Sequence, residues 1–304
     1  MNDTAPTDRQ EPRLSVGVIS AGAVGTAVAE ALLRAGHHVH GVVARSAASR
    51  ENARARLPGV AVHGDSASDI AEVAQAALVV LAVPDPQLPG VIDQVARTVR
   101  AGQIVVHTAG ALGCEVLQPV TDTGALPLAL HPAMTFRGRP EDTDNLAGCA
   151  WGVTTDSETG TAVAELLVAS MGGIAVPVAE EQRTVYHAAM AHGANHLVTQ
   201  VVEAMRMLDH ALSNDATVAA EDPRAALLLR RILPAALTGA LESRTAALTG
   251  PTARDDAATV LRHVAALEEV GGGHGGLAAS YRQDALRTAR AVGSLNVERA
   301  LDQP

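Results

Sequence analysis

The chain has 304 residues, 47% of them apolar, and a net charge of −10. That acidic balance, with one Trp, two Tyr and one Phe as its whole aromatic complement, argues against a surface that tracks phosphates or stacks bases, so nucleic acid is not an expected partner. No run reaches the roughly 20 apolar residues of a membrane helix, and the opening MNDTAPTDRQEPR has no basic-then-apolar order, so no membrane association is expected and a cytoplasmic protein with a disordered tail over residues 1–12 is.

From there the chain alternates short β-branched apolar runs with Ala-rich helical stretches, the pattern of a doubly wound α/β fold with a parallel sheet. Predicted strands are Leu14–Ile19, Val39–Ala44, Ala77–Val83, Gln103–His107, Leu126–His131 and Cys149–Thr154. Between them fall helices over Gly25–Ala35, Ala47–Leu57, Pro89–Val99 and Leu112–Pro119, with a weak turn near Ser68–Ala74. A helix over Ser157–Met171 leads to a last strand, Ile174–Val178. Beyond it strand-like runs cease, and helical spacing continues over Glu180–Ser213, Pro223–Leu248, Asp255–Val270 and Gly276–Leu301. Pro234 is expected to kink or split the second of these, and Thr249-Gly250-Pro251 and the glycine-rich run Gly271–Gly276 mark breaks. The predicted organisation is a nucleotide-binding domain over 13–178 and an all-helical C-terminal domain over 179–304.

The first strand runs into VGVISAGAVGTA, in which positions 20, 22 and 25 stand where G-x-G-x-x-G has its glycines. Ser20 replaces the first. Gly22 lets a pyrophosphate approach the backbone at a helix N-terminus, and Gly25 lets helix and sheet pack closely. Ser20, Ala21, Gly22, Ala23 and Val24 are therefore the predicted pyrophosphate loop of a Rossmann domain. At the end of the second strand, where NAD-preferring proteins carry an acid, the sequence reads Val42-Val43-Ala44-Arg45-Ser46, with no acid before Glu51. Arg45 and Ser46, with Arg50 assisting, suit a 2′-phosphate, so NADP(H) is the expected cofactor.

Ligands of open α/β sheets lie at the carboxyl ends of the strands. Ala82-Val83-Pro84 closes the third predicted strand beside the expected nicotinamide ribose, His107-Thr108 closes the fourth, and His131 closes the fifth. His107, Thr108 and the Ala82–Pro84 turn are expected at the cofactor, and His107 or His131 at the substrate or the proton. Farther on, YHAAMAHGANH places His192, Asn195 and His196 at i, i+3 and i+4, one face of an α-helix. A zinc site there lacks the H-E-x-x-H glutamate and a third ligand, so no metal is expected. Cys114 and Cys149 read as small buried residues.

The segments VGVISAGAVGTA, VVLAVPDPQLPGVI, VVHTAGALGCEVL, LPLALHPAMTF, VYHAAMAHGANHLVTQ and AALTGPTARDD together resemble the Rossmann-like proteins that carry the domain of unknown function DUF2520. The resemblance implies an NADP-binding domain followed by an all-helical one, similar to pyrroline-5-carboxylate reductase, ketopantoate reductase and the β-hydroxyacid dehydrogenases, in which the helical domain often builds a dimer. It also implies a reductase of a small 2-oxo acid, with 2-dehydropantoate the first substrate to try. An imine reductase of the pyrroline-carboxylate type and a non-catalytic dinucleotide-binding protein are the alternatives. One departure is chemical: ketopantoate reductases and β-hydroxyacid dehydrogenases use a helical lysine as proton donor, whereas all 23 basic residues here are arginine. The expected donor is then His192 or His131, with Asn195 orienting the carbonyl and Arg137 or Arg183 taking a carboxylate.

Overall fold

The computed structural model describes residues 13–213, 222–270 and 276–302. The expected disordered tail, residues 1–12, and all but the last residue of the glycine-rich run at 271–276 lie outside the described residues. In chain order the elements of the sheet region are β1 (Ser15–Ile19), α1 (Ala23–Arg34), β2 (His38–Val43), α2 (Ala47–Arg56), β3 (Ala61–His63), α3 (Ala67–Val73), β4 (Leu78–Leu81), α4 (Leu88–Val95), β5 (Ile104–His107), α5 (Gln118–Thr121), β6 (Leu126–Pro132), α6 (Glu141–Asp144), β7 (Ala150–Thr155), α7 (Glu158–Ser170), β8 (Ile174–Pro177) and α8 (Arg183–Ala191). After a π-helical segment at His192–His196 come α9 (Leu197–Leu212), α10 (Pro223–Ser243), α11 (Ala257–Glu269), α12 (Leu277–Val292) and α13 (Leu295–Leu301).

One eight-stranded sheet has the order β3-β2-β1-β4-β5-β6-β7-β8. Its first six strands are parallel and follow the doubly wound order, with the topological switch between β1 and β4. Successive residues of the strands feed opposite faces. Val18, Leu78, Val80 and Val106 join Leu32 of α1 and Trp151, Leu167 and Val168 in one core. Ile19, Val79, Leu81 and Val105 join Ile70, Ile92 and Leu117 of α3, α4 and the segment before α5 in the other.

The expected doubly wound parallel sheet forms, with one departure at its end: β7 runs antiparallel to β6, and β8 runs parallel to β7. Strand direction depends on the connection. Each step among β1–β6 has a helix to carry the chain back across the sheet, but between β6 and β7 there is only the short α6, so the chain turns over and returns. The predicted weak turn at 68–74 is a formed helix, α3, capped by Ser66, and the helix predicted at 112–119 reduces to a 3₁₀ turn and α5.

By internal contacts the chain divides into residues 1–192 and 193–304. The junction expected after Val178 and this division differ by α8, whose Arg183 and Tyr186 are bonded to the sheet. In the second unit α10 continues through Pro234, which does not split it. The core of that unit is small and comes from α11, α12 and α13: Val260, Val264, Ala285, Ala289, Val297 and Leu301. Among the described residues no helix is long and apolar enough to cross a membrane.

Candidate functional site

At the carboxyl edge the β1–α1 turn is pinned to its neighbours, Ala21 N–H donating to the Val43 carbonyl (2.7 Å) and Ala82 N–H to that of Ile19 (3.0 Å). Ser20 has φ of +81°, in the left-handed region that glycine favours, so the residue standing at the first glycine position also has that glycine's backbone. A Cβ on Gly25 would overlap the Ser20 carbonyl, whereas one on Gly22 would meet nothing nearer than the Ser20 hydroxyl at 3.7 Å. Packing therefore demands the glycine at 25 but not the one at 22. What Gly22 keeps open is the space before the N-terminus of α1, whose first amides have no side-chain cap. That is the cradle an anion needs.

The loop after β2 is equally specific. Ser46 caps α2 through a reciprocal pair with Ser49, and the Arg50 guanidinium donates to the Ala44 (3.1 Å) and Arg45 (2.6 Å) carbonyls. Arg50 thus fixes the loop backbone and is not directed to a ligand. Arg45 stands exposed on the loop, with no acid between it and Glu51. The residues present fit a dinucleotide with a 2′-phosphate. Val83, half-buried, and Pro84, exposed, close β4, and the Thr108 N–H donates to the Leu81 carbonyl (3.2 Å) at the same edge.

The histidines separate into different kinds. His107 is fully buried, its Nε2 2.8 Å from the Gly113 carbonyl and its Nδ1 accepting the Ala109 N–H (3.2 Å). Both ring nitrogens are spent on folding the loop after β5, which leaves no proton for a ligand. Burial, reinforced by the charge of Arg183, pushes its pKa down to about 4. His131 is half-buried, with Nδ1 2.8 Å from the Tyr186 hydroxyl and its ring edge-on to those of Tyr186 and His187. Its pKa is also lowered to about 4, by burial first, then by Arg183 and His187.

Two glycines let backbone into this cluster. A Cβ on Gly110 would come within 2.5 Å of His187 Cδ2 and 3.0 Å of His131 Nε2, and one on Gly152 within 2.6 Å of the Tyr186 hydroxyl. The loop after β5 thus lies against the His131 ring, and the Tyr186 phenol lies on β7.

Arg183 organises the cluster. It is 1% exposed, donates from Nε to Thr154 Oγ1 (2.7 Å) and from Nη2 to the Ala129 (2.7 Å) and Gly152 (3.1 Å) carbonyls, and leaves Nη1 buried without a partner. The expectation that Arg183 takes a substrate carboxylate is corrected by this geometry, because its bonded donors face strand carbonyls and a strand hydroxyl in the interior. Its guanidinium lies 5.8 Å from the Tyr186 ring centroid. Glu180 anchors the start of the same segment, its carboxylate accepting the Cys114 N–H (2.6 Å) and lying against Gly113.

His192, Asn195 and His196 occupy the π-helical segment and are exposed. The segment is π-helical where an α-helix was expected; each bond of a π-turn reaches one residue further than in an α-helix, so Asn195 turns further from His192 while His192 and His196 stay on one side. Tyr186 and the buried role of Arg183 were missed from sequence. The signal was the spacing of Arg183, Tyr186 and His187, one turn of helix facing a strand that ends in histidine.

A Rossmann-like domain model matches residues 1–132, and the model of the domain of unknown function DUF2520 matches residues 149–288. The chain carries a Rossmann-like domain and a DUF2520 domain. The first match ends with β6, where the parallel strands end, and the DUF2520 match begins with β7, where the sheet reverses. The His131–Tyr186 bond therefore ties a Rossmann-like residue to a DUF2520 residue.

A glycerol-3-phosphate dehydrogenase [NAD(P)+] of Azorhizobium caulinodans is 34% identical over 166 residues, covering 52% of this chain, and the chain spans about half (50%) of that relative's length. Among solved structures, a proposed NADP oxidoreductase from Bacteroides fragilis is similar over 92% of this chain and 98% of its own, with a TM-score of 0.68 at 20% identity. A pyrroline-5-carboxylate reductase from Coxiella burnetii covers 96% of this chain and 100% of its own (TM-score 0.57, 16% identity). A reductive aminase from Aspergillus terreus in complex with NADPH covers 95% and 94% (TM-score 0.56, 17% identity). These likenesses establish the shared fold.

Proposed function

We propose that the protein is an NADPH-dependent oxidoreductase that reduces the C=O group of a small molecule, or the C=N group of the corresponding imine. The observation that carries this reading is the β1–α1 turn, in which a serine holds a glycine's backbone and Gly22 keeps open a space that packing does not require. Arg45 favours NADP over NAD. The names of the similar structures point the same way, two of them including NADP or NADPH.

When bound, the reduced nicotinamide supplies a hydride. The chain's own part is to bind and orient. Amides of Gly22, Ala23 and Val24 receive the pyrophosphate with the Ser20 hydroxyl beside them, Ala21 holds the turn through its bond to Val43, and Arg45 with Ser46 receives the 2′-phosphate. Ala82, Val83, Pro84 and Thr108 border the nicotinamide end, while His107 shapes the loop behind it. His131, from the sheet, and His192, after α8 in the same unit, are the polar groups offered to the substrate. With Arg183 internal, a carboxylate on a 2-oxo acid such as 2-dehydropantoate falls to the exposed Arg137, whereas a cyclic or aliphatic imine makes no such demand. A homodimer through the helices after residue 192 completes the reading.

The test is direct. NADPH should raise the melting temperature of the protein, and a panel of 2-oxo acids, ketone–amine pairs and cyclic imines should reveal turnover as loss of reduced-nicotinamide absorbance. Arg45→Asp should weaken NADPH by at least about tenfold while NADH changes little. Equal losses for both cofactors would remove the 2′-phosphate assignment, and a protein that binds neither would overturn the reading.

A further inference from the structure

The proposed reaction needs a proton, and no histidine of the sheet supplies it as a cation. With its pKa near 4, about one His131 in a thousand is protonated at pH 7. His107 is closed off by its two backbone partners, and no lysine exists in the chain. What the fold does place at His131 is a phenol, bonded to its inner nitrogen at 2.8 Å, and a buried guanidinium over that phenol.

We infer that Tyr186 is the proton source of this site and acts through His131, with Arg183 positioned to stabilise the phenolate left behind. The inference rests on the oxidoreductase reading and deepens it.

The geometry sets the direction of the relay. Arg183 and a backbone hydrogen bond at Gly152 both favour negative charge on the Tyr186 oxygen, although burial raises the phenol's pKa overall. The phenolic proton therefore points to His131 Nδ1, which puts the imidazole's own proton on Nε2, the nitrogen that lies on the side of Gly110. With the hydride that a bound reduced nicotinamide would supply, the C=O or C=N π pair would move onto oxygen or nitrogen. That atom takes the Nε2 proton, whose bonding pair stays on the ring, and Nδ1 takes the Tyr186 proton. The net result is a reduced substrate, a neutral imidazole and a phenolate, which water restores by protonating Nε2 while the Nδ1 proton returns to the phenol. No participant has to be an imidazolium at neutral pH. The charged and titratable groups facing the pair are Arg183 and His187 of α8, Glu180 before it, His107 of β5, and Cys114 and Cys149.

Three measurements test this, one of them without cofactor. In protein labelled with 15N-histidine at pH 7, His131 should show a protonated Nε2 and an unprotonated, hydrogen-bonded Nδ1, and Tyr186→Phe should shift that Nδ1 signal. In turnover, Tyr186→Phe should lower kcat on the order of 10²-fold with the KM for NADPH within about twofold, since the ring's packing is kept. Replacing tyrosine by 3-fluorotyrosine in a Tyr281→Phe background, which labels Tyr186 alone, should move the alkaline limb of kcat to lower pH. A His131 protonated at Nδ1, or an unchanged kcat in Tyr186→Phe, overturns the relay. Failure of wild-type protein to bind NADPH overturns the oxidoreductase reading instead, and the tautomer still decides the relay.

Discussion

Ser20 shows how one backbone angle separates a working glycine site from a decayed one. Its φ of +81° costs a non-glycine residue roughly 1–3 kcal/mol, and the Gly25 position is closed by its carbonyl. Ser20→Gly should therefore stabilise the protein by about 1 kcal/mol after the glycine's own entropy cost, read as a rise in the melting temperature; a variant no more stable than wild type would refute the strain. His107 makes the acid side of stability predictable. Its folded pKa is lowered, so the unfolded chain takes up a proton near pH 6.5 while the folded one does not until about pH 4. Stability is complete above about pH 6.5 and falls as pH drops towards 4, by roughly 3 kcal/mol from this residue. Urea titrations should show that loss in wild type and a shallower slope in His107→Gln; parallel slopes would contradict it. Both histidines could be named from sequence because they end strands. Their different fates could not, because which nitrogen meets a backbone carbonyl and which meets a phenol depends on loop closure.

At the scale of elements, the sheet strands of the Rossmann-like part were legible because apolar runs of four to seven residues separate cleanly from helices of 3.6-residue period. β3 was not, since Ala61–His63 has only three residues and is exposed or half-buried. The reversal at β7 was not legible either, because an apolar strand reads the same in both directions. Helix α8 is the element that ties these parts together. It was predicted as the opening of a separate helical domain, yet Arg183 donates to β6 and β7 at three atoms and Tyr186 reaches His131. Arg183→Leu would leave the Ala129 and Gly152 carbonyls and the Thr154 hydroxyl without this donor, at about 1–3 kcal/mol for each group left buried and unsatisfied. The expected outcome is local. Amides of α8 should lose hydrogen-exchange protection by an order of magnitude or more while those of β1 and α1 keep theirs; unchanged α8 protection would mean that the helix is held by other contacts.

For the molecule as a whole, the helices after residue 192 expose large apolar side chains that the homodimer proposed above would cover. Helix α10 is apolar around most of its circumference, yet Ala225 is its one fully buried residue, and Leu227, Ile232 and Leu241 are 65%, 62% and 88% exposed. Helix α9 has no fully buried residue, and Val198 and Val202 are exposed on it. The small core of this unit draws on α11–α13 alone. A helix apolar on nearly all sides belongs inside something, and apolar surface gathered on two adjoining helices marks an association surface. The simplest partner is a second copy, since a two-fold contact lets the same helices cover each other. Each leucine withdrawn from water would add roughly 1.5–3 kcal/mol, so a few per copy suffice to outweigh the cost of association. Ile232→Arg with Leu241→Glu should then convert the protein to a monomer in sedimentation at micromolar concentration, with strands β1–β6 still folded by circular dichroism. A wild-type protein that sediments as a monomer would leave the exposed leucines of α10 without a partner and overturn the dimer.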